Sequence, residues 1–408
     1  MKKKVILLAG ATLLIYSSAY GAYNTDCMSC HGKKDFYSQF PHVDKKGMYI
    51  APDKITGSAH TGISCIQCHT EIKGYPHKNP TAKVNCARCH KPQAESFFKS
   101  IHSKVSNGPD CVTCHGSHDI KGKPYLESTA GKKAMINICA NCHKEQPVDE
   151  ETTKSGYEWV NSYKESVHGV AFLKKGISVA AVCTDCHGSH DIEPSTDQNS
   201  KINKLNIPVT CSKCHEPIYA KYVQSIHWHA VKDKHIMAAP VCTDCHGEHK
   251  ILKPTNPKSS VYAKNIPTTC SKCHSSVTMA KKYDLPLGRL STYENSFHGI
   301  ALKFGNLEAA NCASCHGTHE ILPSSDPRSS INKANLVKTC GRCHPNASAD
   351  FVKGKIHVIV NKHGEKGPYY VRIFYTWFIG ILITIFVVYV IFDLINIRRK
   401  KIIRRKHE

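Results

Sequence analysis

Every cysteine in this chain belongs to the same five-residue unit, Cys-x-x-Cys-His, and all 22 cysteines are used up in doing so. In order the units are Cys27/Cys30/His31, Cys65/Cys68/His69, Cys86/Cys89/His90, Cys111/Cys114/His115, Cys139/Cys142/His143 and Cys183/Cys186/His187. They continue with Cys211/Cys214/His215, Cys242/Cys245/His246, Cys270/Cys273/His274, Cys312/Cys315/His316 and Cys340/Cys343/His344. A disulfide framework has no reason to place a histidine after each pair. A zinc site needs two Cys-x-x-Cys pairs brought together, again without that histidine. The spacing suits covalent haem attachment: two thiols bond to the vinyl groups of one porphyrin, and the adjacent imidazole takes the iron as proximal ligand. The sequence therefore predicts haem c in eleven copies.

Eleven units between residues 27 and 344 leave about 29 residues for each porphyrin, too few for an apolar core around every one. The expected fold is a multihaem cytochrome c whose haems are the core, with short α-helices, irregular loops, very little strand and one C-terminal transmembrane helix.

The formal charge of +23 raises the question of a nucleic-acid partner. Each oxidised haem adds two propionates and returns one positive charge, so eleven bring about −11 and absorb most of the excess. No nucleic acid is expected as a partner.

Lys2, Lys3 and Lys4, the apolar run Val5 to Tyr16 and the small-residue stretch ending Ala19-Tyr20-Gly21 follow the three-part pattern of a secretory signal, expected over residues 1–21 with cleavage before Ala22. Export agrees with the chemistry, because c-type attachment belongs outside the cytoplasmic membrane. Ile373 to Phe392 is free of charge and long enough to span a bilayer. Arg398, Arg399, Lys400, Lys401, Arg404, Arg405 and Lys406 come after it, which puts the tail in the cytoplasm. The expected layout is a transmembrane helix at 370–395, a basic cytoplasmic tail at 396–408, and a haem region on the periplasmic face of the inner membrane. The lipid bilayer is thus an expected partner.

The haem region repeats. Cys111 to Cys139, Cys183 to Cys211, Cys242 to Cys270 and Cys312 to Cys340 are each 28 residues. Each pair opens with Cys-x-x-Cys-His-Gly-x-His, giving His118, His190, His249 and His319, and is preceded by a Ser-x-His, giving His102, His168, His227 and His298. Successive pairs lie 72, 59 and 70 residues apart, so the larger period is 131 or 129. Residues 101–365 are read as repeated dihaem modules carrying eight haems, and 22–100 as a divergent N-terminal segment carrying three. Pro194-Ser-Thr-Asp, Pro254-Thr-Asn-Pro and Pro323-Ser-Ser-Asp-Pro supply turns after the extra histidines.

The extra histidines are candidate distal ligands: His42, His60, His77, His102, His118, His168, His190, His227, His249, His298, His319 and His357. His118, His190, His249 and His319 lie three residues past a proximal histidine, on the wrong side to reach their own iron, so each is expected on a neighbouring haem. His229, His235, His363 and His407 fit no pattern. Bis-histidine iron is coordinatively full and low in potential. The haem at Cys27, with only His42 or His77 to serve it, is the candidate for an open site.

The Cys-x-x-Cys-His-Gly-x-His signature with Ser-x-His-Gly at His168 and His298 resembles the multihaem cytochrome superfamily of cytochrome c3-like proteins and the octahaem hydroxylamine oxidoreductase and tetrathionate reductase group, over most of residues 60 to 357. The membrane attachment is similar to that of tetrahaem quinol dehydrogenases feeding periplasmic nitrate and nitrite reductases, although those carry an N-terminal anchor. The resemblance implies an electron-transfer protein between a membrane-integral, quinone-reactive subunit and periplasmic cytochromes or reductases. The alternative is an oxidoreductase acting on nitrogen or sulfur compounds at one open iron. Pentahaem nitrite reductases use a Cys-x-x-Cys-Lys unit, and this chain has none.

Overall fold

The computed structural model describes residues 25–36, 48–75, 77, 82–143, 153–354, 357–359 and 366–405. The expected signal segment, His42 and the extreme C-terminus lie outside them. The chain forms two compact units, Met1–Ser259 and Ser260–Glu408. Among the described residues there are many short helices, one long C-terminal helix and no strand, as the haem-cored fold requires.

Most Cys-x-x-Cys-His units form their own helical turn, and the sequence shows why. In Cys183–His187 and Cys242–His246 the carboxylates of Asp185 and Asp244 accept from the backbone N–H groups of Val182 and Val241 at 2.8 and 2.7 Å. Thr113 and Ser314 make the same reach-back to Asp110 and Asn311, whose side chains in return accept from the amides of Thr113 and Ser314. Two orphan donors are thereby satisfied in a helix too short to stand by propensity alone. The residue before the second cysteine is thus a capping residue.

Each of these turns ends at a glycine the sequence cannot replace. Gly116, Gly188, Gly247 and Gly317 have φ between +74° and +87° with ψ near 180°, a region essentially closed to other residues. There the chain leaves the helix, and His118, His190 and His249, two residues later, face the rings of other units.

The linkers after the extra histidines are ladders of turns in steps of three. Asp197, Ser200, Asn203 and Asn206 each donate a backbone N–H three residues back, to Pro194, Asp197, Ser200 and Asn203. Asp326, Ser329, Asn332 and Asn335 repeat the ladder. These Ser, Asn and Asp side chains bond the local backbone, which is why they favour turns over continuous helix.

Buried apolar side chains are few. Ile136, Phe172 and Val182 form one cluster, and Val231, Ala239 and Val241 another. A repeated tether supports them: the hydroxyls of Tyr163, Tyr222 and Tyr293 donate to the carbonyls of Ala181, Pro240 and Ala310 at 3.1, 2.9 and 2.9 Å. Each acceptor lies two residues before a Cys-x-x-Cys-His unit, and burial pushes all three phenols up, Tyr293 to about 12. Tyr222→Phe is expected to cost about 1 kcal/mol, the net value of one such bond. Reversible denaturation of the haem-loaded chain checks it; no loss would mean that packing alone holds the ring.

The last helix, Lys366–Arg405, is 40 residues long. An 18-residue stretch within Lys366–Ile402 has mean hydropathy 2.8 and no buried part, so the helix is long and apolar enough to cross a membrane. It runs on past the expected 370–395 into the basic tail.

Candidate haem-binding sites

The decisive geometry lies in the histidines. Among the described residues, imidazole rings face each other in pairs, nine of them with centroids 5.8 to 6.3 Å apart. In every pair one ring belongs to a Cys-x-x-Cys-His unit and the other is a distal candidate. Two imidazoles on opposite sides of one metal, each with a bond of roughly 2.0 Å, would have centroids roughly 6 Å apart. The spacing therefore fits a metal between the rings, and none of the 22 cysteines beside them is tied up in a disulfide.

Seven of these pairs obey two rules. His118, His190 and His249 face His69, His115 and His187, the first-haem histidine of the preceding group. His102, His168 and His298 reach over the first unit of a repeat to face His143, His215 and His344 of the second. His60 obeys the second rule and faces His90, so Cys65 and Cys86 form a shortened group wired like the others. His77 faces His31 at 5.9 Å with rings 8° from parallel, and His357 faces His316 at 6.3 Å. His227 and His319 occupy the same sequence positions as their repeat counterparts. His42 lies outside the described residues.

Secondary contacts orient these rings. His31 Nδ1 lies 2.9 Å from the Met48 carbonyl oxygen, and His357 Nδ1 lies 2.9 Å from Thr292 Oγ1. A hydrogen bond at Nδ1 leaves Nε2 as the available ligand atom. Burial, with help from the facing ring, holds His102, His115, His168, His298 and His316 below the usual imidazole range. Burial, then His249 and His143, brings His187 down to about 4. At neutral pH these rings are neutral, the form that binds metal.

The thiols also pair. Cys27 with Cys65, Cys86 with Cys111, Cys139 with Cys183, Cys211 with Cys242 and Cys270 with Cys312 are hydrogen-bonded. Between them, Cys68 and Cys86, Cys114 and Cys139, Cys186 and Cys211, and Cys315 and Cys340 are electrostatic neighbours. The 28-residue spacing groups Cys111 with Cys139, yet the tighter contact joins Cys139 to Cys183 in the next repeat. Within each compact unit of the fold the attachment points form an unbroken series in sequence order.

The second cysteine of a Cys-x-x-Cys-His unit is placed differently from the first. The sequence treats the two thiols as equivalent attachment points, but the hydrogen-bonded pairs all join first cysteines. Among the second cysteines, Cys89, Cys142, Cys214 and Cys343 are exposed, while Cys30, Cys245 and Cys273 are half-buried. Cys142, Cys214 and Cys343 are electrostatic neighbours of Cys114, Cys186 and Cys315 in the preceding unit. Cys30 Sγ lies 3.7 Å from Ser29 Oγ, and Cys245 lies near the Tyr222 phenol. Three residues apart, the two thiols of a unit lie on the same face of the turn, which suits the two vinyl groups along one porphyrin edge.

These sites match known proteins where the repeat is plainest. The model of the doubled CXXCH motif family covers residues 102–148. A high-molecular-weight cytochrome c from Nitratidesulfovibrio vulgaris is 30% identical over 128 residues, 29% of this chain. The chain is a multihaem c-type cytochrome. It covers only 20% of that relative's length, and no solved structure matches the cytochrome.

Sequence reasoning named the histidines that face one another here but missed their supports. The Tyr-x-x-Ser-x-His pattern at Tyr163, Tyr222 and Tyr293 was the available signal for the tether. Trp159, stacked on His249 with centroids 5.6 Å apart, has no counterpart pattern in the sequence.

Proposed function

We propose that this cytochrome is a membrane-anchored undecahaem protein of the inner membrane. In this reading its periplasmic haem region carries electrons between a quinone-linked membrane partner and soluble cytochromes or reductases. The observation that carries the reading is the series of neighbouring attachment points combined with facing histidine pairs. When bound, the haems supply one-electron chemistry at low potential. The cysteines would fix each group covalently, and the facing histidines would hold its iron and leave no coordination place for substrate. Histidines that cross between repeats tie consecutive sites together, so transfer needs no moving part. Lys366–Ile402 serves as the anchor, with Arg398 to Lys401 on the cytoplasmic side.

His227 and His319 complete the distal set on the repeat argument. The alternative, an enzyme working at one open iron, placed that iron at Cys27, where His77 faces His31.

A pyridine haemochrome assay against protein concentration is expected to give eleven haems per chain, all low-spin ferric by electron paramagnetic resonance. A count of ten or fewer, or a native high-spin haem, overturns the conduit reading.

A further inference from the structure

The last repeat differs from the others on one exposed face. Counting from the serine of Ser-x-His, the internal repeats place Val167 or Ile226 first and Lys174 or Asp233 eighth. The last places Phe297 first and Phe304 eighth. The sixth position stays apolar and buried in all three, as Phe172, Val231 and Leu302, so the helix keeps the same face inward. Outward, Phe297 is 83% exposed, Phe304 85% and Ile300 45%. Spacing of three and four puts them on one side of the helix Phe297–Lys303 and its C-cap.

In three earlier groups the residue after the serine is covered by the next repeat: the amides of Ala59, Ile101 and Val167 donate to the carbonyls of Ile120, Ile192 and Ile251 at 2.7, 2.9 and 2.8 Å. Beyond its own repeat, no further Cys-x-x-Cys-His-Gly-x-His unit comes after Phe297 in the chain. The chain runs instead into the long apolar helix. From His357, held against His316, to Lys366 is nine residues, a reach of roughly 30 Å at full extension. The module bearing the aromatic face is therefore tethered within that distance of the helix.

We propose that Phe297, Ile300 and Phe304 form a bilayer-docking face that lays the last haem module on the membrane surface. The proposal rests on the reading of Lys366–Ile402 as the membrane anchor. Exposed aromatic side chains beside a cation, here Lys303, suit the headgroup boundary of a bilayer, where an apolar ring is partly buried and a lysine meets anionic lipid. The exchange of Lys174 and Asp233 for Phe304 matches a change of neighbour from water to lipid. Docking would hold the haem at Cys340, whose facing histidine His298 adjoins Phe297, at the level where a membrane-confined donor reacts.

The test is photo-cross-linking of the full haem-loaded chain in vesicles of phosphatidylethanolamine and phosphatidylglycerol, read by mass spectrometry. p-Benzoylphenylalanine is placed singly at Phe304, at Lys174 as the internal counterpart, and at Trp377 in the long helix. Phospholipid adducts are expected at positions 377 and 304, with a yield at 304 at least about fivefold above that at 174. Adducts at 377 with none at 304 overturn the docking face and leave the anchor standing. So does cross-linking of 304 to the chain's own Val358–Ile359 segment or to a second protein. No lipid adduct at 377 overturns the anchor, and the docking face with it.

Discussion

His77→Ala is expected to convert about one haem in eleven from low-spin to high-spin iron and to create carbon monoxide binding in the reduced protein, where the parent binds none. The reason is geometric: the His77 ring is nearly parallel to that of His31 at 5.9 Å. The variant removes the ring that faces His31 and would complete the iron at Cys27. His77→Met should keep that iron low-spin and raise its potential, because a thioether ligand favours the reduced state. Electron paramagnetic resonance integrated against total iron gives the answer. An unchanged spectrum for His77→Ala would mean that another residue, His42 first of all, ligates this haem.

The second large effect is expected at Gly188. It lies between His187 and His190, which belong to different sites, the first facing His249 and the second His115. Its φ is +87°, and a Cβ there would collide with Asp191 Oδ1 and lie 2.8 Å from Lys201 Nζ. Gly188→Ala should therefore cost about 1–3 kcal/mol through the backbone alone, and must also disturb the Lys201–Asp191 ion pair. The loss falls on two sites at once, so altered low-spin signals from two haems and a lower thermal midpoint are expected together. Gly74→Ala is the control. That glycine lies outside every Cys-x-x-Cys-His unit, has no positive φ and has open space at the Cβ position, and the change should be neutral or slightly stabilising. Equal effects at the two positions would refute the role given to the positive φ.

Much of each site was legible because covalent attachment demands adjacency in the chain. Cys183, Cys186 and His187 must be close in sequence, and a single turn of helix delivers them. The Asp185 cap and the positive φ at Gly188 are equally local, and each could be read from residue type. His190 was readable as a ligand for some other iron, since three residues cannot carry it round its own porphyrin. Which iron was not readable, because that depends on how repeats stack. Residues 22–100 were read as divergent, yet once the chain is folded His60 reaches His90 by the same rule as His102 reaching His143.

By itself the sequence determined the number of Cys-x-x-Cys-His units, the helical haem-cored class, the pool of candidate distal histidines and the apolar C-terminal segment. All of these come from composition and short-range spacing. Only the tertiary structure decided the partners: His77 with His31, His118 with His69, His357 with His316, and Cys139 beside Cys183 rather than Cys111. Those choices are made by contacts between segments tens of residues apart, which no local pattern encodes. The count of Cys-x-x-Cys-His units specified the sites, and the packing of one repeat on the next set their order.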